Sequence, residues 1–128
     1  MTASDTPHTA IVTGAASGFG AVAARALHRA FHRVVVTDVD GEAAGRLAKE
    51  LDPSEATATA ATLDIRRPED FERVRDEAVG RWGSVEILVN NAAVTVARPL
   101  LEIEPAEFNA VMATNAGGVF AGSQILGR

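Results

Sequence analysis

Along this chain short apolar runs alternate with longer stretches in which apolar residues return every three or four positions. Residues 10–13, 33–38, 56–64 and 85–90 read as strands, and the second, Arg33-Val34-Val35-Val36-Thr37-Asp38, is a β-branched run of the kind buried on both faces of a parallel sheet. Residues 18–31, 41–51, 68–82 and 105–126 carry helical spacing. The expected inward positions are Val22, Ala23, Ala26, Leu27 and Ala30 in the first helix and Ala44, Leu47, Ala48 and Leu51 in the second. In the third they are Phe71, Val74, Ala78 and Val79, and in the last Phe108, Val111, Met112, Asn115 and Val119 form one stripe. Punctuation agrees: Asp52-Pro53 stops the second helix, Pro68 opens the third with Glu69 and Asp70 in its first turn, and Gly83-Ser84 releases the chain into the fourth strand.

Four strands alternating with four helices predict a parallel sheet with right-handed crossovers and helices on both faces. The class is α/β, a Rossmann-like doubly wound sheet of four βα units in the order 3-2-1-4. Residues 9–128 form one domain and residues 1–8 a flexible arm.

The first strand runs into a turn with Gly14, Gly18 and Gly20 and then into an alanine-rich helix. Glycine is needed where a backbone turns sharply, approaches a pyrophosphate and packs a helix against a sheet, while the helix N-terminus offers free N–H groups to the anion. Asp38 ends the second strand 18 residues after Gly20, close to the spacing at which an acid meets the ribose 2′-hydroxyl of NAD. No basic residue stands at Ser17, Thr37 or Val39 to receive a 2′-phosphate, so NAD is preferred over NADP. The competing reading of Asp38 is a solvated loop acid. Asn115 lies on the apolar stripe of the last helix, where a buried amide needs partners, and Gly117 and Gly118 behind it mark an expected break in that helix.

Composition narrows the function. Twelve basic against 17 acidic residues, net charge -5, leave no electrostatic footprint for nucleic acid. The chain has no cysteine, so a disulfide framework and a thiolate metal site are excluded, and no metal ligands are expected. His28 and His32 share a helix face without a carboxylate beside them and are expected to be exposed; Trp82 is expected to pack at a helix end. No signal peptide or membrane-spanning run is legible, which makes a cytoplasmic location the expectation.

Thr13-Gly14-Ala15-Ala16-Ser17-Gly18-Phe19-Gly20, followed in order by Asp64, Asn90-Asn91-Ala92-Ala93 and Asn115, resembles the short-chain dehydrogenase/reductase family from Thr9 onward. Ala93 stands where that family usually has glycine. The resemblance implies an NAD-binding oxidoreductase that moves hydride between the cofactor and a small-molecule alcohol or ketone. It implies cofactor contacts from Thr13, Gly14, Ser17, Gly18, Phe19 and Gly20 in the turn and from Asp38. Asp64 is implied at the adenine amino group with Ile65 beside the ring, and Asn91, Ala92 and Ala93 along the nicotinamide ribose. Asn115 is implied in catalysis, its backbone carbonyl holding a relay water at a helix kink.

The family's serine and Tyr-x-x-x-Lys elements cannot be placed, because the chain has no tyrosine and its one lysine, Lys49, lies in the second helix. The chain is therefore expected to be the amino-terminal part of such an enzyme, its carboxy-terminal half missing and without turnover alone. It is also expected to be marginal in stability or to associate, with homo-oligomers among its partners. The competing expectation is a non-catalytic NAD-binding or subunit-interaction module.

Overall fold

The computed structural model describes residues 6–128, so residues 1–5 of the expected arm lie outside the described residues. Its last residue, His8, is held: its N–H donates to His32 Nδ1 at 3.2 Å and its carbonyl accepts the Arg33 N–H at 2.8 Å.

The strands are β1 (Thr9–Val12), β2 (Arg33–Asp38), β3 (Ala58–Thr62) and β4 (Ile87–Val89), alternating with the helices α1 (Gly18–Arg29), α2 (Gly41–Leu51), α3 (Pro68–Trp82) and α4 (Pro105–Leu126). A 3-10 turn, Leu100–Glu102, interrupts the long connection before α4. All pairings are parallel and the sheet order is β3-β2-β1-β4, as the alternation predicts.

Alternation along the strands divides the core into two layers. Val12, Val34 and Val36 face α1 and α2, where they meet Ala21, Ala24, Ala44, Leu47 and Ala48. Ile11 and Val35 face the other way, onto Phe71, Val74 and Ala78 of α3 and Ile125 of α4. The Phe71 ring is fully buried, which contributes roughly 1.5–3 kcal/mol relative to an exposed ring. Among the described residues β4 pairs with β1 alone, and Ile87, Leu88 and Val89 are half-buried.

Several expected inward positions are corrected. In α1 the buried residues are Gly20, Ala21 and Ala24; Ala23 and Leu27 pack at the margin, whereas Val22 is 61% exposed and Ala26 and Ala30 face solvent. Helix α1 ends at Arg29 because the chain leaves through Phe31 with φ +64, a left-handed turn made without glycine. In α3 Val79 is exposed.

The largest correction is in α4. Phe108, Met112 and Val119 are exposed, and the buried face is Thr114, Gly118, Gly122 and Ile125. Small residues win that face because the helix lies close to its neighbours: a Cβ on Gly118 would come within 2.6 Å of Ile65 Cδ1, and one on Gly122 within 2.8 Å of the Phe71 ring. The expected break at Asn115-Ala116-Gly117-Gly118 is absent, since α4 is unbroken from Pro105 to Leu126.

Candidate functional site

The three glycines of the first turn do different things. Gly14 takes φ +61, and a Cβ there would sit 2.8 Å from Ala92 Cα, so the turn after β1 and the segment after β4 touch backbone to backbone. Gly18 takes φ +55 with nothing in front of it, leaving its backbone open to a ligand. Gly20 is buried, and a Cβ there would land on the Gly14 carbonyl oxygen and the Asn91 amide.

Side chains then tie this turn to two strand ends. The Thr13 hydroxyl, almost fully buried, donates to the Val89 carbonyl at 3.2 Å and accepts the N–H groups of Asn91 and Ala92, both at 3.0 Å. The Asn91 amide donates to the carbonyls of Thr13 at 3.0 Å and Gly14 at 3.1 Å. From β2, Asp38 Oδ2 accepts the Ala16 N–H at 3.1 Å and Oδ1 the Asp40 N–H at 3.0 Å. Each oxygen keeps a lone pair for a further donor.

At the end of β3 the Asp64 carboxylate is engaged within its own turn. Oδ1 accepts the Arg66 backbone N–H and Nε, both at 2.9 Å, and Oδ2 accepts Arg66 Nε at 3.1 Å and Nη2 at 2.5 Å. The Arg66 guanidinium holds the Asp64 carboxyl below the ordinary carboxylate range, and Asp64 in turn raises Arg66. On α4 the Asn115 amide spans the backbone of Val94: Oδ1 accepts its N–H and Nδ2 donates to its carbonyl, each at 2.8 Å. Asn115 is half-buried and has the partners its position required.

These elements enclose a cleft of about 470 Å³ at the carboxyl ends of the strands, where ligands of open α/β sheets bind. Gly14, Ser17 and Asp38 line one side, Asp64 and Ile65 another, and Asn91, Ala92 and Ala93 the floor toward β4. Thr13, Gly18, Phe19, Gly20 and Asn115 are not among its lining residues; Phe19 is 88% exposed, while Thr13 and Gly20 shape the turn from behind. Val39, named from the sequence only as a position without a base, also lines it, as do Leu63, Arg66, Val94 and Thr114, which escaped the sequence reading. Their signal was adjacency to Asp38, Asp64, Ala93 and Asn115.

The first turn of α1 supports an anionic ligand. Ser17 is its N-cap without a side-chain cap bond, no acid stands in the turn, and the first N–H to reach a helical carbonyl is that of Ala21, on Ser17. The N–H groups before it have no helical carbonyl to reach, and the positive end of the helix dipole lies beside them, an arrangement that suits a pyrophosphate.

The remaining candidates fall elsewhere. His28 and His32 are half-buried rather than exposed, because His28 Nε2 lies 2.9 Å from the Thr57 hydroxyl and His32 takes the His8 N–H. Trp82, the last residue of α3, packs against the core on that side of the sheet, and its Nε1 donates to the Ala56 carbonyl at 3.0 Å. Among the described residues no helix is long and apolar enough to cross a membrane.

Residues 8–128 match the sequence profile described as short chain dehydrogenase. The chain belongs to the short-chain dehydrogenase/reductase family. It is 37% identical over 120 residues to a sorbitol dehydrogenase of Cereibacter sphaeroides, a match covering 94% of this chain and 46% of that protein. Among solved structures, a gluconate 5-dehydrogenase from Burkholderia cenocepacia in complex with NADP and tartrate superposes with TM-score 0.83 at 33% identity, over 94% of this chain and 48% of the other. A 3-ketoacyl-(acyl-carrier-protein) reductase from Brucella melitensis complexed with NADH gives TM-score 0.84 at 31% identity, over 94% and 49%. This short-chain dehydrogenase/reductase chain spans about half the length of these relatives. The family binds NAD(P), and the glycine turn, uncapped helix and strand-end cleft of this member fit that dinucleotide.

Proposed function

We propose that the cleft holds NAD(H) in preference to NADP(H), and that this chain is the cofactor-holding part of an oxidoreductase transferring hydride between NAD and an alcohol or ketone. The observation that carries the preference is Asp38. Its carboxylate lines the cleft at the end of β2, fixed by the N–H groups of Ala16 and Asp40, and a carboxylate there supports a ribose hydroxyl over a 2′-phosphate. Its remaining lone pairs suit a ribose hydroxyl. When bound, the nicotinamide supplies the hydride chemistry. This chain's own groups place it: Thr13 and Asn91 lock the glycine turn to residues 91–92, and Asn115 fixes Val94 at the cleft wall. Asn115 acts in this reading as a positioning residue.

No tyrosine hydroxyl is present to exchange a proton with a substrate oxygen, which supports binding without turnover by this chain alone. That favours the non-catalytic module as a second reading, and both share the cofactor site. Fluorescence titration tests it: NADH is expected to bind at least about tenfold more tightly than NADPH, equivalent to about 1.4 kcal/mol. Asp38→Ala is expected to abolish the difference and His28→Ala to preserve it. Equal affinities for the two cofactors in the unsubstituted chain refute the preference, and steady turnover of any alcohol refutes the binding-only expectation.

A further inference from the structure

We propose that the β3 edge of the sheet is a self-association surface, on which β3 of a second copy of this chain adds antiparallel about a two-fold axis at Ala60. Thr57 and Leu63, six residues apart, both bond to β2, so by the alternation of a ladder Ala58, Ala60 and Thr62 turn their N–H and C=O groups away from it. Ala60 and Thr62 are exposed, and the strand Ala58-Thr59-Ala60-Ala61-Thr62 carries no charge or proline to blunt its edge. A groove of about 400 Å³ lies at this edge, between Gly45 and Ala48 of α2 and Glu77 and Arg81 of α3, and it shares no lining residue with the cofactor cleft.

Charge on the flanking helices selects a second copy as the occupant. Gly41 meets Thr62 and Asp52 accepts from Thr57, which sets the middle of α2, at Gly45, level with Ala60. A two-fold axis there reverses α2 against its copy. Glu42 and Lys49, both exposed and about one turn to either side of Gly45, then face Lys49 and Glu42 of the second copy. Gly45 has open space in front of it and lets the two helices approach. On the other face of the sheet Arg73 donates to the Thr62 carbonyl and Trp82 to the Ala56 carbonyl, so the stretch between Arg73 and Glu77 lies level with Ala60. Arg73 and Glu77, with side chains 44% and 60% exposed, are thereby brought beside Glu77 and Arg73 of the second copy. One axis thus pairs the strand and sets opposite charges together on both helices, which a strand of unrelated sequence does not offer. Ala58 is buried, so the ladder is short and the helix charges carry the specificity.

Sedimentation equilibrium of the full chain is expected to show a reversible dimer. Ala60→Pro removes the outward N–H at a place where an edge strand tolerates proline, and is expected to weaken the dimer at least about tenfold. Glu42→Lys and Lys49→Glu each set like charges opposite one another at both symmetry-related contacts, and each is expected to weaken it about fivefold or more. The chain carrying both reversals restores the pairing and is expected to return to within about twofold of the parent. Because the chain has no cysteine, a single thiol reports the register. Ala60→Cys sets two Cα atoms about 5.5 Å apart across the axis, within reach of a disulfide, whereas Thr62→Cys sets them about 14 Å apart. Mild oxidation is expected to link the first into dimers and not the second.

A monomeric unsubstituted chain overturns the proposal, as does a dimer indifferent to both charge reversals, or one in which Thr62→Cys links and Ala60→Cys does not. The charge exchange leaves β3 untouched, so it decides even where proline disturbs the strand.

Discussion

Replacing Thr13 by valine removes a hydroxyl and nothing else of its size. That hydroxyl joins three backbone groups that lie 76–79 residues away in sequence, as donor to Val89 and as acceptor for Asn91 and Ala92. The Val89 carbonyl keeps a second donor, the Thr13 N–H at 3.1 Å, so its loss is small. The two N–H groups have no substitute, because valine offers no acceptor. Each half-buried orphan costs about 1 kcal/mol, the low end for an unsatisfied donor, and the lost donation adds a fraction more. The expected destabilisation is about 2–3 kcal/mol, a large part of the margin of a small domain.

Thr114→Val provides the comparison at another buried threonine. Its hydroxyl only donates, at 2.9 Å, to the Ala110 carbonyl one turn back in α4, and the structure assigns it no donor partner, so its loss is expected to cost about 0.5 kcal/mol or less. Urea unfolding followed by far-ultraviolet circular dichroism and Trp82 fluorescence measures both. At a slope of about 1–3 kcal/mol/M the Thr13→Val midpoint should fall by about 0.7–3 M and the Thr114→Val midpoint by far less. NADH affinity should weaken along with stability in Thr13→Val, since residues 91–92 line the cleft. Equal midpoints for the two variants would refute the reasoning, because the side-chain change is the same and only the accepted N–H groups differ.

Two glycines of α4 should respond in opposite directions to alanine. Gly122→Ala pushes a methyl to 2.8 Å from the fully buried Phe71 ring and should destabilise by about 1–3 kcal/mol, whereas Gly117→Ala meets open space and should stabilise by up to about 1 kcal/mol; urea midpoints decide. For Asp64 the folded pKa lies below its ordinary 3.8, so the stabilisation from its pairing with Arg66 is complete above that value and is lost as pH falls through the folded pKa. The stability gap between the parent chain and Asp64→Asn should therefore be constant from neutrality down to about pH 5 and close below about pH 4, and a gap that persists in acid would show that the charge is not its source.

Much of the fold was legible because its signals are local. A β-branched run ending in Asp38, a proline at the head of α3 and a glycine turn after β1 each act through neighbours in sequence, and alternation of four strands with four helices allows few topologies. The cleft was legible where a backbone demand coincides with a chemical one, as at Gly14, Ser17 and Asp38. The stripe of α4 was misread for a physical reason: hydrophobic periodicity weighs Phe108, Met112 and Val119 heavily, yet where α4 crosses the buried Ile65 and Phe71 only glycine fits, at Gly118 and Gly122.

Local pattern thus determined the elements, their order and the presence of a dinucleotide-type turn. Tertiary structure decided which atoms of that turn are free. Thr13 and Gly20 bear the expected residue types but face inward, because their partners Val89 and Asn91 arrive from β4 only when the sheet closes. Asp64, alone in sequence an open carboxylate, meets Arg66 through the turn before α3, so an ion pair rather than a lone carboxylate stands at that end of the cleft. Hydrogen-bond acceptors are finite, and only the folded chain shows which are already used.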